Sequence, residues 1–217
     1  MNDQILSLRD VEAEGLSDWR LLHSALHARF RTRSFAAGLQ LVNRIGEEAE
    51  AMNHHPDLDL RYPHLNVRLT SHDTGGVTAR DVRLARRVSE LAASANVAAD
   101  PSAVSVLELA LDTEDYRAIK PFWRAVLALR DSRAEDELVD PDGALPTLWF
   151  QETDAHEPPR QRFHVDVRVP PEVARERIDA ALAAGGTLVS EEHAPSFWVL
   201  ADAQGNKACV TTGEGRD

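Results

Sequence analysis

The chain has 217 residues, 43% of them hydrophobic and 28% charged, with a formal net charge of −12. That apolar content supports packed cores and excludes a disordered chain, and the length fits one large domain or two small ones. A surface this acidic repels phosphate backbones and anionic headgroups, so neither nucleic acid nor a membrane surface is an expected partner.

The single cysteine, Cys209, permits no internal disulfide, and the expected location is a reducing cytoplasm. The opening MNDQILSLRDVEAEG lacks a basic region followed by an apolar run, and nowhere do eighteen apolar residues occur together, so neither export nor membrane insertion is expected.

Between Trp19 and Arg33, Leu26, Ala28 and Phe30 alternate with His27, Arg29 and Arg31, the period of a half-buried strand and the second arm of a hairpin. Ser34 is placed to cap a helix whose apolar positions Phe35, Leu39, Val42, Ala49 and Met52 recur at helical spacing and which ends near Asn53. A further strand is expected at His64–Ser71, followed by the break Gly75-Gly76. Thr78-Ala79-Arg80-Asp81 resembles a capping box, and Val82, Ala85, Val88, Leu91 and Ala92 form the stripe of the helix behind it.

The stretch Ala93 to Ala103 is small, polar and without periodicity, so the domain boundary is placed there: residues 1–95 form one domain and 104–217 another. The second half reads as strand (Val104–Leu111), helix (Tyr116–Leu129), the turn Asp140-Pro141-Asp142-Gly143 and strand (Thr147–Gln151). The order then recurs: strand at Phe163–Val169, helix at Pro171–Ala184 stopped by Gly185-Gly186, and two strands about the turn Gln204-Gly205-Asn206. Two such units in succession suggest a structural duplication.

Three of the nine histidines sit beside structural punctuation: His54 and His55 after the first long helix, and His72 past the strand ending in Thr70-Ser71. Imidazole exchanges protons near neutrality, which suits acid/base work, while a histidine at a solvated helix C-terminus simply complements the dipole. Spacing alone leaves both readings open. His23 and His27 are four apart, a ligand spacing on a helix but not on the strands expected here.

The run Glu50-x3-His54-His55-Pro56-x5-Tyr62-x9-His72-x8-Asp81, set in NHHPDLDLRYPHLNVRLTSHDTGGVTARDVRLA, resembles the signature of pterin-4a-carbinolamine dehydratases over about Trp19 to Ala92. The resemblance implies dehydration of 4a-hydroxytetrahydropterin to quinonoid dihydropterin in tetrahydrobiopterin recycling, with no metal or organic cofactor. It also implies a pterin substrate, a homo-oligomer, and a four-stranded antiparallel sheet with helices on one face. His54, His55 and His72 would be catalytic, His54 and His72 handling protons and His55 orienting the pterin or stabilising charge. Asp81 would orient a histidine or cap its helix, Glu50 would bond to the site or stay on an exposed face, and Tyr62 would stack or pack.

The second half is similar to glyoxalase-like domains of the vicinal oxygen chelate superfamily, through Phe122-Trp123-x3-Leu127, Arg162-Phe163-His164-Val165-Asp166-Val167 and Trp198-Val199-Leu200-Ala201-Asp202-x2-Gly205-Asn206-x2-Cys209. This implies paired βαβββ modules, and hence an α+β fold throughout. Phe122, Trp123 and Trp198 read as core. The metal-ligand positions of that superfamily fall on Glu108, Gln151, His164 and Cys209, of which Glu108 and His164 are donors suited to a divalent metal; no bound metal is expected. His156 and His193 receive no role. Two further functions stay open: small-molecule binding or metal-dependent glyoxalase- or dioxygenase-like chemistry in the second half, and a non-catalytic dimerisation module.

Overall fold

Alternation at period two builds the first sheet, and the helices that follow cover its apolar face. The computed structural model describes residues 4–126, 129–143, 145–154, 163–183, 185–201 and 207–215, without the side chains of Phe122, Ala125 and Val126. Leu127, His156, Arg162, Asp202 and the turn Gln204-Gly205-Asn206 lie outside the described residues. The chain divides into two compact units, Met1–Val104 and Ser105–Asp217.

The first unit opens with a short helix, α1 (Leu8–Ala13), closed by a Ser7–Asp10 capping box. The Trp19–Arg33 stretch is itself a hairpin: β1 (Arg20–Leu22) pairs antiparallel with β2 (Ala25–Arg31), and His23 takes the left-handed φ of 54° in the turn. Helix α2 (Phe35–Met52) is capped by Ser34, whose hydroxyl accepts from the Ala37 amide at 3.2 Å, and ends at Asn53 in the left-handed conformation. Then come β3 (Asp57–Arg61), β4 (His64–Leu69), α3 (Ala79–Ser94) and the two-residue β5 (Ala98–Ala99), which pairs with β2.

The sheet runs β1-β2-β4-β3, all antiparallel. Leu26, Ala28 and Phe30 of β2 sit opposite Leu69, Val67 and Leu65 of β4 and pack under Leu41, Ile45 and Ala49 of α2 and Leu84, Ala85 and Val88 of α3. Gly38 admits Leu60 from β3 at a distance where any Cβ would collide, 2.4 Å from Leu60 Cδ1.

The opposite face of this sheet is polar. Arg29 donates to Asn66 at 2.7 Å, and Arg68 to Asp57 at 2.6 Å. Among these charges His27 is half-buried, and burial, with Arg68 and His23 adding to it against Asp57, pulls its pKa down to about 4. The unfolded chain, with a histidine near 6.5, therefore binds the extra proton first. Stability is fully present above pH 6.5 and falls as pH drops towards 4, by on the order of 2 to 3 kcal/mol. Urea unfolding followed across that window should show this slope, and His27→Gln should flatten it; an unchanged slope in the variant would place the proton uptake elsewhere.

The second unit is built from two βαβββ modules. The first comprises β6 (Val106–Thr113), α4 (Tyr116–Val126), β7 (Arg130–Asp131), β8 (Glu137–Val139) and β9 (Thr147–Glu152). The second comprises β10 (Phe163–Arg168), α5 (Pro171–Ala183), β11 (Thr187–Ser190), β12 (Phe197–Ala201) and β13 (Lys207–Thr211). They join in one sheet, β11-β12-β13-β10-β6-β9-β8-β7, across the antiparallel β10–β6 pair. In each module the first strand runs parallel to the last, β6 to β9 and β10 to β13.

The duplication read from the order of elements is thus a duplication in space, and both units are α+β. Two apolar clusters lie under the helices, one around Leu111, Leu148 and Phe150 with Trp123 of α4 against it, the other around Ala174, Ile178 and Val210 with Trp198 against it. Among the described residues no helix is long and apolar enough to cross a membrane.

Candidate active site

The end of α2 and the start of α3 meet at one buried carboxylate. His54 is the second residue beyond α2, its amide donating to Ala49 O at 3.0 Å, and its side chain is only 7% exposed. Its Nε2 lies 2.8 Å from Asp81 Oδ1, and Asp81 has no exposed side-chain surface. A carboxylate so buried must be matched by donors. Asp81 Oδ2 accepts from Ser71 Oγ and from the Thr78 amide, each at 2.7 Å, while Ser71 Oγ and Thr78 Oγ1 are 2.8 Å apart.

Two donors on Oδ2 direct Oδ1 at the ring. A carboxylate only accepts, so His54 carries its proton on Nε2, and in the neutral ring Nδ1 is the basic nitrogen. Asp81 is the third residue of α3, where its side chain completes the capping box with Thr78, and the same carboxylate bonds His54.

The other predicted residues stand around this pair. His55 is exposed and donates from Nε2 to Glu50 Oε1 at 3.1 Å, Glu50 itself being 80% exposed. His72 is exposed and follows Ser71 in a turn fixed by the Ser71–Gly76 bridge, the Thr74 hydroxyl on Ser71 O, and an Arg80–Asp73 ion pair of 2.6 Å. Tyr62 lies in the β3–β4 turn and is 72% exposed. Ser71 was missed by sequence reasoning. It reads as the last polar residue of a strand, and only the register of the bridge turns its hydroxyl towards Asp81.

On the second unit, one face of the central strands is polar. Glu108 and Asp166 are paired positions on β6 and β10, Asp166 and Cys209 on β10 and β13, Asp112 and Gln151 on β6 and β9. Arg168 binds Glu108 Oε2 through Nε and Nη2, both at 3.1 Å. His164 Nε2 donates to Gln151 Oε1 at 2.9 Å, and its Nδ1 lies 3.2 Å from Asp166 Oδ1 and 3.9 Å from Cys209 Sγ. Burial pulls the His164 pKa down, but the Asp166 and Asp112 carboxylates outweigh it, and the net direction is up. Burial, then Asp166, pushes the Cys209 thiol up to about 12.

The four positions Glu108, Gln151, His164 and Cys209 do not fit one shared metal ion, because Glu108 is engaged by Arg168 and the Gln151 oxygen already accepts from His164. His193 stacks on Phe197 at 4.8 Å between ring centroids, a packing contact.

A four-stranded antiparallel path under two helices, with a buried His–Asp pair where those helices meet, makes the first unit an α+β domain with one enclosed polar site. Residues 4–91 match the family described as pterin 4 alpha carbinolamine dehydratase, and residues 108–211 match the glyoxalase-like domain. A relative from Nocardia farcinica named for pterin-4-alpha-carbinolamine dehydratase is 36% identical over 94 residues, covering 42% of this chain and 99% of that protein.

A solved structure of a transcriptional coactivator/pterin dehydratase from Brucella melitensis is 24% identical, with a TM-score of 0.40, covering 41% of this chain and 99% of that one. A glyoxalase/bleomycin resistance protein/dioxygenase superfamily member from Vibrio splendidus is 15% identical, with a TM-score of 0.34, covering 50% of this chain and 99% of that one. The chain belongs to the pterin-4a-carbinolamine dehydratase family, a dehydratase-family enzyme in its first unit, and its second unit is similar to glyoxalase-like domains.

Proposed function

We propose that the first unit dehydrates 4a-hydroxytetrahydropterin to quinonoid dihydropterin and so serves tetrahydrobiopterin recycling. The observation that supports this reading most is the buried His54–Asp81 pair, with His72 beside the serine that bonds the same carboxylate. The reaction loses water: the 4a-hydroxyl leaves with an added proton, and the N5 proton is removed as the C4a–N5 double bond forms. It therefore asks for one acid and one base, both near neutrality.

His54, its Nε2 proton held by Asp81, offers Nδ1 for one transfer, and exposed His72 serves the other. His55, steered by Glu50, orients the pterin, and Tyr62 offers an exposed ring for stacking. The reading extends to a homo-oligomer in the cytoplasm, with Phe35 and Leu39, one turn apart on α2 and 52% and 46% exposed, as the apolar surface for association.

The test is stopped-flow decay of 4a-hydroxytetrahydropterin generated in situ. Wild-type protein should accelerate the decay, and His54→Ala and His72→Ala should each lose the acceleration by roughly 100-fold or more. A folded wild type that leaves the decay unchanged would reduce the first unit to a binding or association module.

A further inference from the structure

We infer that the cleft between α4 and the turn joining β7 to β8 binds a small organic dianion of the phosphate monoester type. The cleft belongs to the second unit alone and is independent of the dehydratase reading. Its volume is about 410 Å³, the size of a small-metabolite site.

Helical period builds one wall. Tyr116, Ile119 and Trp123 pack on the cluster of Leu111, Leu148 and Phe150, while Arg117, Lys120 and Arg124 recur at spacings of three and four on the stripe that lines the cleft. Asp131 of β7 and the turn after it, with Ser132, Arg133 and Glu135, form the other wall. Leu148 and Phe150 alternate along β9 with Gln151, so the cleft lies on the helix side of the sheet, across from the polar face that carries Gln151 and His164.

Charge sets this surface apart. Four cations, Arg117, Lys120, Arg124 and Arg133, meet two carboxylates, Asp131 and Glu135, an excess of two positive charges on a chain whose formal net charge is −12. Ion pairing does not absorb that excess. Asp131 spends one oxygen on Lys120 at 3.0 Å and the other on Arg124 at 2.6 Å, so a single negative charge serves two cations. Glu135 reaches Arg117 at 3.3 Å with both side chains exposed, a pair that water and salt weaken. Arg133 is exposed, and among the described residues its guanidinium bonds to no carboxylate.

The donors are also held in place. The Arg117 guanidinium lies 4.6 Å from the centre of the Tyr116 ring. Lys120, 13% exposed, donates to Asp131 Oδ1 and to Glu135 O, which uses two of its three N–H groups. Cations gathered with fewer acids than they need repel one another until an anion joins them. A phosphate monoester carries about −2 near neutral pH, equal to the excess, and offers its oxygens to forked guanidinium donors. Nucleic acids and anionic membranes present the same group, but the acidic remainder of the chain repels an extended polyanion, which leaves a small ligand.

The full chain, labelled with nitrogen-15 and titrated at low salt with inorganic phosphate and then with phenyl phosphate, tests the cleft. Amides of α4 and of Ser132 to Glu135 should shift together and saturate, while acetate, a monoanion, should bind roughly tenfold more weakly. Arg133→Ala should weaken phosphate binding by roughly tenfold, and Arg133→Glu, which brings the charge excess to zero, should abolish it. The same spectra report whether each variant is folded, and His54→Ala should leave phosphate binding unchanged. Shifts that never saturate, an affinity indifferent to Arg133→Glu, or acetate bound as tightly as phosphate would overturn the site and leave the cluster as a solvated charged face.

Discussion

Asp81→Asn should lower dehydratase turnover by roughly 100- to 10,000-fold while the first unit stays folded. The substitution keeps the side chain's shape and replaces one oxygen with an NH2 group. That group cannot face the Oδ2 side, where it would meet the Thr78 amide and the Ser71 hydroxyl, both donors at 2.7 Å. It must turn towards His54, where it meets Nε2 as a donor.

The imidazole then presents a lone pair at Nε2 and carries its proton on Nδ1, the reverse of the arrangement assigned to the native pair. Nitrogen chemical shifts of His54 would read that exchange of tautomer directly, which a merely structural role for Asp81 would not produce. Ser71→Ala should have a smaller effect, because Oδ2 keeps the Thr78 amide. Native turnover in Asp81→Asn with the tautomer reversed would remove the pair from the chemistry.

Much of this arrangement is legible in the residues. Helix α2 begins at its Ser34 cap and stops at Asn53, as its sequence predicts, because both ends are local hydrogen-bond problems solved by local side chains. Strand β4 declares itself by alternation, and the Thr78–Asp81 capping box is present as read. Strand β3 is hidden: Asp57, Asp59 and Arg61 alternate with Leu58 and Leu60, but the run is short, charged and behind a proline, and what holds it, the pairing with β4 and the packing of Leu60 on Gly38 of α2, is long-range.

Helix α1 is equally faint at six residues, too short to show a period. In the second unit the paired modules follow from element order, whereas the weight of Asp166 and Asp112 does not. Each is one acid among 36 acidic residues until the register of β10 against β6 and β13 aligns them with His164 and Cys209. Ser71 is invisible for the same reason. Local chemistry is written in local sequence; partners brought together by register are not.

Phe30→Ala should destabilise the first unit by about 3 to 5 kcal/mol, the usual cost of emptying a buried aromatic site. Phe30 has no exposed surface, meets Trp19 edge-on at 6.2 Å between ring centroids, and lies on β2 between Leu65 of β4 and Ala99 of β5, beneath both helices. Strands on either side hold its backbone, so the site has little freedom to collapse, and the cost belongs at the upper end of that range. Native domains commonly have only about 5 to 15 kcal/mol in total, so a large part of the margin goes with one ring.

A chain with two compact units has no single melting temperature to report the loss. Hydrogen exchange read by mass spectrometry resolves it instead: amides of α2, α3 and β4 should lose protection together, because all pack on the cluster that contains Phe30. Leu148→Ala should instead loosen β9 and α4, whose cluster shares no residue with that one. Loss confined to β2 in Phe30→Ala would mean that the helices are held by something other than the sheet beneath them.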